Sequence, residues 1–334
     1  MRPAAREGLS VDILIVESIE PEVLNWLRAR HAVRHAPELA WDQRGLRVAL
    51  EQARSVIVPA SVALDGPLVR AAPLLRAVGR ISAGVENIDR DACSAAGVEV
   101  VRPTAAVADA EAEFVVGALL QMLRRVPVLA AEGMLVGREL GSCTVGIVGM
   151  TASAKPLADL LGAFGARVIG YDPGTHQSDA LWTRYRVLPY ALAELMAASD
   201  AVCVLLPYYT RYRAILGESV LQGVREDQVL VCLSHSDLLD DAALARLLVS
   251  GRMAAAWLDA AEPGLTAPGR PLHGIQTLMT TPRVAATTRQ SRARSAWSVA
   301  RRIDEVLTLG PARPPFRQTT SASPLGRADA PGSS

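Results

Sequence analysis

The stretch Val145–Lys155, VGIVGMTASAK, has the layout of a dinucleotide-binding turn. An apolar run is followed by Gly149, Thr151 and Ala154 at the spacing G-x-G-x-x-G/A, and then by a helix-forming segment. In that fingerprint the first glycine makes the tight turn and the second lets the backbone approach a pyrophosphate. The third, for which alanine is an accepted substitute, lets helix and strand pack closely. Thr151 is the departure, because a β-branched side chain there projects toward the phosphates and stiffens the turn. Asp172 ends the run VIGYDP, 23 residues after Gly149. A carboxylate at that distance accepts hydrogen bonds from an adenosine ribose and favours NAD over NADP, although Asp172 equally suits the start of an Asp-Pro-Gly turn.

Two further residues carry chemistry. His235 closes the strand-like run beginning QVLVCLS, at the sheet edge where doubly wound folds place ligands, and its imidazole can exchange a proton near neutrality. Arg283, in TTPRVAATT, offers a permanent cation whose planar fork suits a carboxylate, or else a structural ion pair at a domain seam. Glu262, in LDAAEP, is either a partner for such groups or a plain loop residue. Tyr208, Tyr209 and Tyr212 follow VLLP, which ends at Pro207; they suit an aromatic wall for a ligand or a partly exposed turn. His31, His35, His176 and His273 lie in polar stretches without metal-ligand spacing, so no metal site is expected. Ser234 and Ser236 flank His235 but lack the glycine-framed elbow of a nucleophile.

These residues hang on a repeated strand–helix pattern, which implies an α/β fold of two Rossmann-like, doubly wound parallel sheets with a cleft between them. VDILIV, SVIVPA, LLRAVGRI and VEVVR read as strands of a first unit over 11–103. CTVGIVGM, ARVIGYD, AVCVLLP, QVLVCLS and AAAWLDA read as strands of a second, the nucleotide-binding domain, over 104–285. ADAEAEFVVGALLQMLRRVPVLAAEGMLVG reads as one long helix joining the two, with an apolar face for a partner. RQSRARSAWSVARRIDEVL reads as a helix returning to the first domain, which 286–310 would complete. The Pro-, Ser- and Ala-rich remainder, 311–334, is expected to be a disordered tail.

The order of these motifs resembles the D-isomer-specific 2-hydroxyacid dehydrogenases over about residues 11 to 310. VGRISAGVENID is similar to that family's substrate-carboxylate loop, with Ala83 and Gly84 at the positions whose backbone amides hold the carboxylate. ADAEAEFVVGALLQMLRR is similar to its interdomain and dimer helix. LSHSDLLDDAAL, LDAAEP and TTPRVAAT stand for its A-R-G-x-L-V-D-E-x-A-L, D-V-F-x-x-E-P and T-P-H-x-A-x-T segments. The resemblance implies a flavodoxin-like substrate-binding first domain. It also implies a catalytic arginine, histidine and glutamate, and here the first two have exchanged seats: His235 stands in the arginine's place and Arg283 in the histidine's. Glu262 matches the glutamate if the loop is two residues shorter; without that gap the position is Gly264. Asp259 matches the residue that faces the nicotinamide carboxamide, Pro207 borders the cofactor phosphates, and Ser82, Ser236 and Arg102 replace the usual glycines and asparagine.

One fixed cation and one titrating group are what reduction of a 2-oxo acid requires, so the exchanged pair retains both types. The expected function is therefore an NAD(H)-dependent oxidoreductase with altered substrate, with His235 as acid/base, Arg283 as clamp and Glu262 as support. Alternatives are a non-redox enzyme (proton transfer, cyclisation or hydrolysis) in the same cleft, and a non-catalytic dinucleotide-sensing scaffold. The 334 residues carry a formal charge of +1, with Lys155 the sole lysine and the arginines scattered, so no nucleic-acid surface is expected. Apolar runs fall short of the roughly 20 residues a bilayer span needs, and the start MRPAAREGLS has no apolar signal core, which points to a cytoplasmic protein. The expected partners are a small-molecule substrate, a carboxylate in the leading reading, and a second copy bound through the helix near 110–135. Four cysteines without C-x-x-C spacing read as buried thiols.

Overall fold

Val- and Ile-rich runs too short for helices become strands buried on both faces, as parallel sheets require. The computed structural model describes residues 11–309 except 83, 85, 86, 126, 127, 130–134, 261 and 263. The expectation of a tail over 311–334 lies outside the described residues. The first unit runs β1 (Val11–Ile15), α1 (Pro21–Arg28), β2 (Val33–His35), α2 (Gln43–Leu50), β3 (Ala53–Ile57), α3 (Gly66–Arg70), β4 (Ala77–Gly79), α4 (Arg90–Ala95) and β5 (Glu99–Val101). All five strands are parallel, in the order β2-β1-β3-β4-β5. Alternate side chains of β1 face opposite layers: Leu14 packs with Leu46, Leu50 and Val56, while Ile13 and Ile15 pack with Leu27, Val299 and Ile303.

The connecting helix is α5 (Ala108–Arg125), after which β6 (Val128–Leu129) and β7 (Leu135–Val136) form an antiparallel ribbon. This corrects the expectation of one uninterrupted helix: Pro127 has no N–H to donate and disfavours helical backbone at the residue before it. The second unit continues through β8 (Thr144–Val148), α6 (Ala154–Phe164), β9 (Arg167–Tyr171), α7 (Ala180–Tyr185), β10 (Leu188–Pro189), α8 (Leu192–Ala198) and β11 (Ala201–Val204). It then adds α9 (Glu218–Leu221), β12 (Gln228–His235), α10 (Asp241–Val249), β13 (Met253–Ala260), β14 (Leu278–Thr280) and α11 (Arg289–Leu309). Its seven strands are parallel in the order β10-β9-β8-β11-β12-β13-β14, the doubly wound order with one strand added at the end. The two parallel-sheet units agree with the expected α/β architecture. Val145, Ile147 and Val231 face α5 and α6, and Val148, Val202 and Leu230 face α8 and α10.

α11 packs on the first sheet, not the second. Ala296, Val299, Ala300 and Ile303 have no solvent exposure and lie in one core with Ile13, Ile57 and Ala77. Gly79 leaves the room for this approach, since a Cβ there would come within 2.6 Å of the Val299 side chain. The four cysteines are free and buried, and burial pushes the Cys93 thiol to about 11 and that of Cys232 to about 12.

Glu17, two residues past β1, is a buried carboxylate that costs stability. It is 8% exposed, its Oε2 has no hydrogen-bond partner among the described residues, and burial raises its carboxyl above the usual range despite Arg292 and Arg80 nearby. A folded-state value above the unfolded one means that the folded chain takes up the proton more readily. Its contribution is then most favourable below the unfolded carboxylate range and is lost as pH rises through the raised folded value. Glu17→Gln is expected to raise Tm by a few degrees at pH 8 relative to the parent, with the gain disappearing near roughly pH 4. Thermal melts of both proteins across that range check it.

Candidate active site

β12 overruns its neighbour β11 by three residues, so His235 stands at the carboxyl edge of the sheet, paired in register with Ala260 of β13. A register irregularity between Cys232 and His235 turns the strand end there, a common device beside functional sites. The imidazole Nδ1 accepts a hydrogen bond from Asp237 N at 3.2 Å, which leaves the ring proton on Nε2. Nε2 faces Glu262 Oε1 at 2.9 Å, and the other oxygen of Glu262 accepts from Ser236 Oγ. Tyr208 lies flat on the imidazole, with ring centroids 4.7 Å apart and 21° between planes, and donates its hydroxyl to Asp237 at 3.2 Å. The side chains of His235 and Glu262 remain 24% and 34% exposed, so the pair is open to a ligand.

The residue beside the histidine is Glu262, not Gly264. The three tyrosines part company: Tyr208 joins His235, whereas Tyr209 and Tyr212 pack edge to face under the Arg211 guanidinium.

Arg283 is carried by the turn after β14. Its φ of 58° is left-handed, unusual for a residue with a side chain, and its backbone N–H donates to Asp259 O. His235 pairs beside the end of β13, and Arg283 is tied to that same end, so the two backbones lie within about two strand spacings, roughly 10 Å. Asp259 itself is 3% exposed. Its carboxylate accepts from Thr281 Oγ1 at 2.6 Å, Val284 N at 2.9 Å and Ala285 N at 2.9 Å. Buried carboxylates need donors, and three from the 281–285 loop converge on it.

At the glycine turn, Gly149 has φ +102°, and a Cβ on it would meet Leu206 N at 2.5 Å and Leu206 Cα at 2.6 Å. No other residue fits that approach of β8 to the end of β11. Thr151 has ordinary negative φ and is partly buried, so the backbone tolerates its branching and only its bulk bears on a phosphate. Ala154 opens α6 and is fully buried. Asp172 Oδ2 accepts from Met150 N at 2.7 Å, and Oδ1 accepts from Gly174 N at 2.7 Å. Asp172 thus shapes the Asp-Pro-Gly turn and is tied to the glycine turn. Pro207 is exposed beside Tyr208.

In the first unit, Ala83 lies outside the described residues, while Gly84 has φ +94°. The loop is braced by Arg80, which is 4% exposed and donates through Nε and Nη2 to Ser82 Oγ at 3.1 and 3.0 Å and through Nη1 to Asn87 Oδ1. Arg102 is exposed after β5 and is not drawn into this cluster. Sequence reasoning passed over Arg80, Asp237, and the bond from Ser153 Oγ to Glu111. Only Arg80, directly after a strand and before the loop, carried a readable signal. Among the described residues no helix is long and apolar enough to cross a membrane, and no group of three metal-ligating side chains occurs.

A doubly wound sheet with a glycine turn, a carboxylate after the second strand, and a histidine–glutamate pair at the carboxyl edge defines a dinucleotide-binding domain with a polar site at its mouth. Residues 118–287 match the family model of the D-isomer specific 2-hydroxyacid dehydrogenase NAD binding domain. The chain is 30% identical over 295 residues to the (S)-sulfolactate dehydrogenase of Chromohalobacter salexigens, covering 86% of this chain and 95% of that one. It is 28% identical over 305 residues to the D-3-phosphoglycerate dehydrogenase of Mycobacterium tuberculosis, covering 87% of this chain but only 56% of the relative's length. A glyoxylate reductase from Paecilomyes thermophila has the same fold, with a TM-score of 0.74 at 22% identity over 90% of this chain and 96% of that one. The chain belongs to the D-isomer specific 2-hydroxyacid dehydrogenase family, and its cofactor is NAD(H).

Gly149→Ala is expected to destabilise the protein by about 2 kcal/mol or more, from left-handed strain plus the clash with Leu206, and to abolish NADH binding. Denaturant titration and NADH fluorescence check the two effects separately.

Proposed function

We propose that the chain is an NAD(H)-dependent oxidoreductase that interconverts a 2-oxo acid, NADH and a proton with a 2-hydroxy acid and NAD+. The observation that carries this reading is the His235–Glu262 pair, 2.9 Å apart at the mouth of an NAD-binding sheet. NAD(H), when bound, supplies or takes the hydride at the second carbon of the substrate. The glycine turn Gly149–Ala154, with Asp172 and the segment at Pro207, would hold the dinucleotide. Thr151 fits the backbone of that turn, and Asp259 acts from beneath by fixing the loop above it.

His235 holds the proton that the new hydroxyl takes up. In its doubly protonated form, held beside Glu262, His235 gives the Nε2 proton to the forming hydroxyl and is left neutral with its proton on Nδ1, which parts that nitrogen from Asp237 N; in the reverse direction Nε2 takes the proton and the glutamate stabilises the imidazolium. Tyr208 and Asp237 keep the ring in one orientation, so no rotational search precedes transfer. Arg283 binds the substrate carboxylate from the opposite strand end, with Gly84, Ala83 and Arg102 on the first unit's side. This inverts the usual placement of acid and clamp, and it selects a substrate presented the other way round or of a different shape.

The first unit, 11–103 with 286–310, serves as the substrate lobe and 104–285 as the cofactor lobe. A homodimer through the helix near 110–135 and a cytoplasmic location complete the proposal.

NADH oxidation measured over a series of small 2-oxo acids tests it. One or more should be reduced, and His235→Gln should lower kcat about 100-fold or more with NADH binding intact. Arg283→Gln should act mainly on the oxo-acid KM, raising it about tenfold. Bound NADH without turnover on any oxo acid, or full activity in His235→Gln, would overturn the reading.

A further inference from the structure

The mechanism above does not use one partly buried acid beside the glycine turn. Glu111 lies in the first turn of α5, and its carboxylate accepts a hydrogen bond from Ser153 Oγ. Ser153 is 3% exposed and immediately precedes α6. A serine there ordinarily caps the helix by accepting from its first N–H groups, yet this one makes no cap bond and gives its hydroxyl to Glu111 instead. On the other side Glu111 is close enough to Asp259, at the end of β13, for their charges to oppose one another. Burial, and then that opposition, raise its carboxyl above the usual range, while the Ser153 bond lowers it. Glu111 is thus fixed between the N-terminus of α6 and the end of β13, and it is partly exposed rather than sealed.

In a doubly wound sheet the dinucleotide crosses the switch point with its pyrophosphate at the helix after the first strand. Its nicotinamide half then runs toward the strands on the far side, here β11, β12 and β13. Glu111 touches Ser153 at that helix start and lies near Asp259 at the end of β13. The oxidised nicotinamide ring carries a positive charge and the reduced ring carries none, so a fixed, partly desolvated carboxylate beside it distinguishes the two forms.

We propose that Glu111 is a redox-state discriminator in the cofactor site: its carboxylate faces the nicotinamide ring and holds NAD+ more tightly relative to NADH than an uncharged residue would. Because the oxidised form is favoured on the protein, the bound reduced form is a stronger hydride donor, and the equilibrium between bound reactants leans toward reduction of the oxo acid. The inference rests on the NAD(H) reading of this site, and it adds a residue that acts on the balance between the cofactor's two forms rather than on the proton.

The test is a pair of binding titrations on the full chain, NADH by fluorescence and NAD+ by calorimetry, for the parent, Glu111→Gln and Glu111→Asp. Glu111→Gln keeps an acceptor for Ser153 and removes the charge. It should weaken NAD+ about five- to tenfold while leaving NADH within about twofold. Glu111→Asp keeps the charge and should retain most of the parental ratio. If Glu111→Gln does not fold, Glu111→Met supplies the uncharged side chain of similar length. Equal weakening of both forms in the uncharged variant, or an unmoved ratio, would overturn the inference. Failure of the parent to bind either form would instead overturn the cofactor reading on which it stands.

Discussion

A carboxylate 3% exposed is tolerable only when donors surround it, and Asp259 meets that condition with one hydroxyl and two backbone N–H groups drawn from residues 281–285. The same contacts decide much else. They fold the turn after β14 back over the end of β13, force Arg283 into a left-handed conformation, and aim the chain toward α11. α11 then leaves the second unit and buries Ala296, Val299 and Ile303 in the core of the first. Without Asp259 as the acceptor, the guanidinium, the start of α11 and the neighbouring strand end that carries His235 would have no common reference point.

The first unit solves the corresponding problem with the opposite charge. Arg80 leaves β4 buried, and its guanidinium fork braces Ser82 and Asn87, while Asn87 Nδ2 donates to Pro59 O at 3.1 Å and so ties in the loop after β3. Each lobe therefore presents a loop at its carboxyl edge that is anchored from below by one desolvated ion. Such anchoring is expensive in stability, and Glu17 and Glu20, whose Oε2 atoms lack partners among the described residues, show that the carboxyl edge of the first sheet is not optimised for it.

The sequence made the larger plan legible because buried parallel strands of four to eight residues stand out as Val- and Ile-rich runs, and because the strand, glycine turn, helix and acid between Val145 and Asp172 keep a fixed spacing. Strands β2, β10 and β14, of two or three residues, stand in no Val- and Ile-rich run of the kind that marked the equally short β4 and β5, and so left no signal. α5 was readable but its end was not, since the apolar spacing continues past Arg125 and only Pro127 opposed it. At the site, His235 announced itself by standing at a strand end, whereas its partner depended on a gap that spacing alone left undecided between Glu262 and Gly264. Glu111 was hidden for a different reason. In a helix with apolar neighbours an acid reads as part of the solvated face, and its bond to Ser153 exists only because α5 packs across α6.

The exchange of arginine and histidine has a consequence that follows from the sheet geometry. His235 sits on β12 and Arg283 beside β13, so the imidazole lies nearer the switch point between β8 and β11 than the cation does. A hydride moves only from the reduced ring to a carbon held against it, and the hydroxyl-forming oxygen must reach the imidazole while the carboxylate reaches the guanidinium. With the two seats reversed, a 2-oxo acid satisfies both contacts only by turning about its carbon–carbon bond axis relative to the ring, which presents its other face to the hydride. Glu262, in the place that the resemblance gives to the family's glutamate, still meets the imidazole at 2.9 Å and is held by Ser236. The contact between imidazole and carboxylate at the mouth of the sheet is the physical argument for the proposal that this cleft moves a proton.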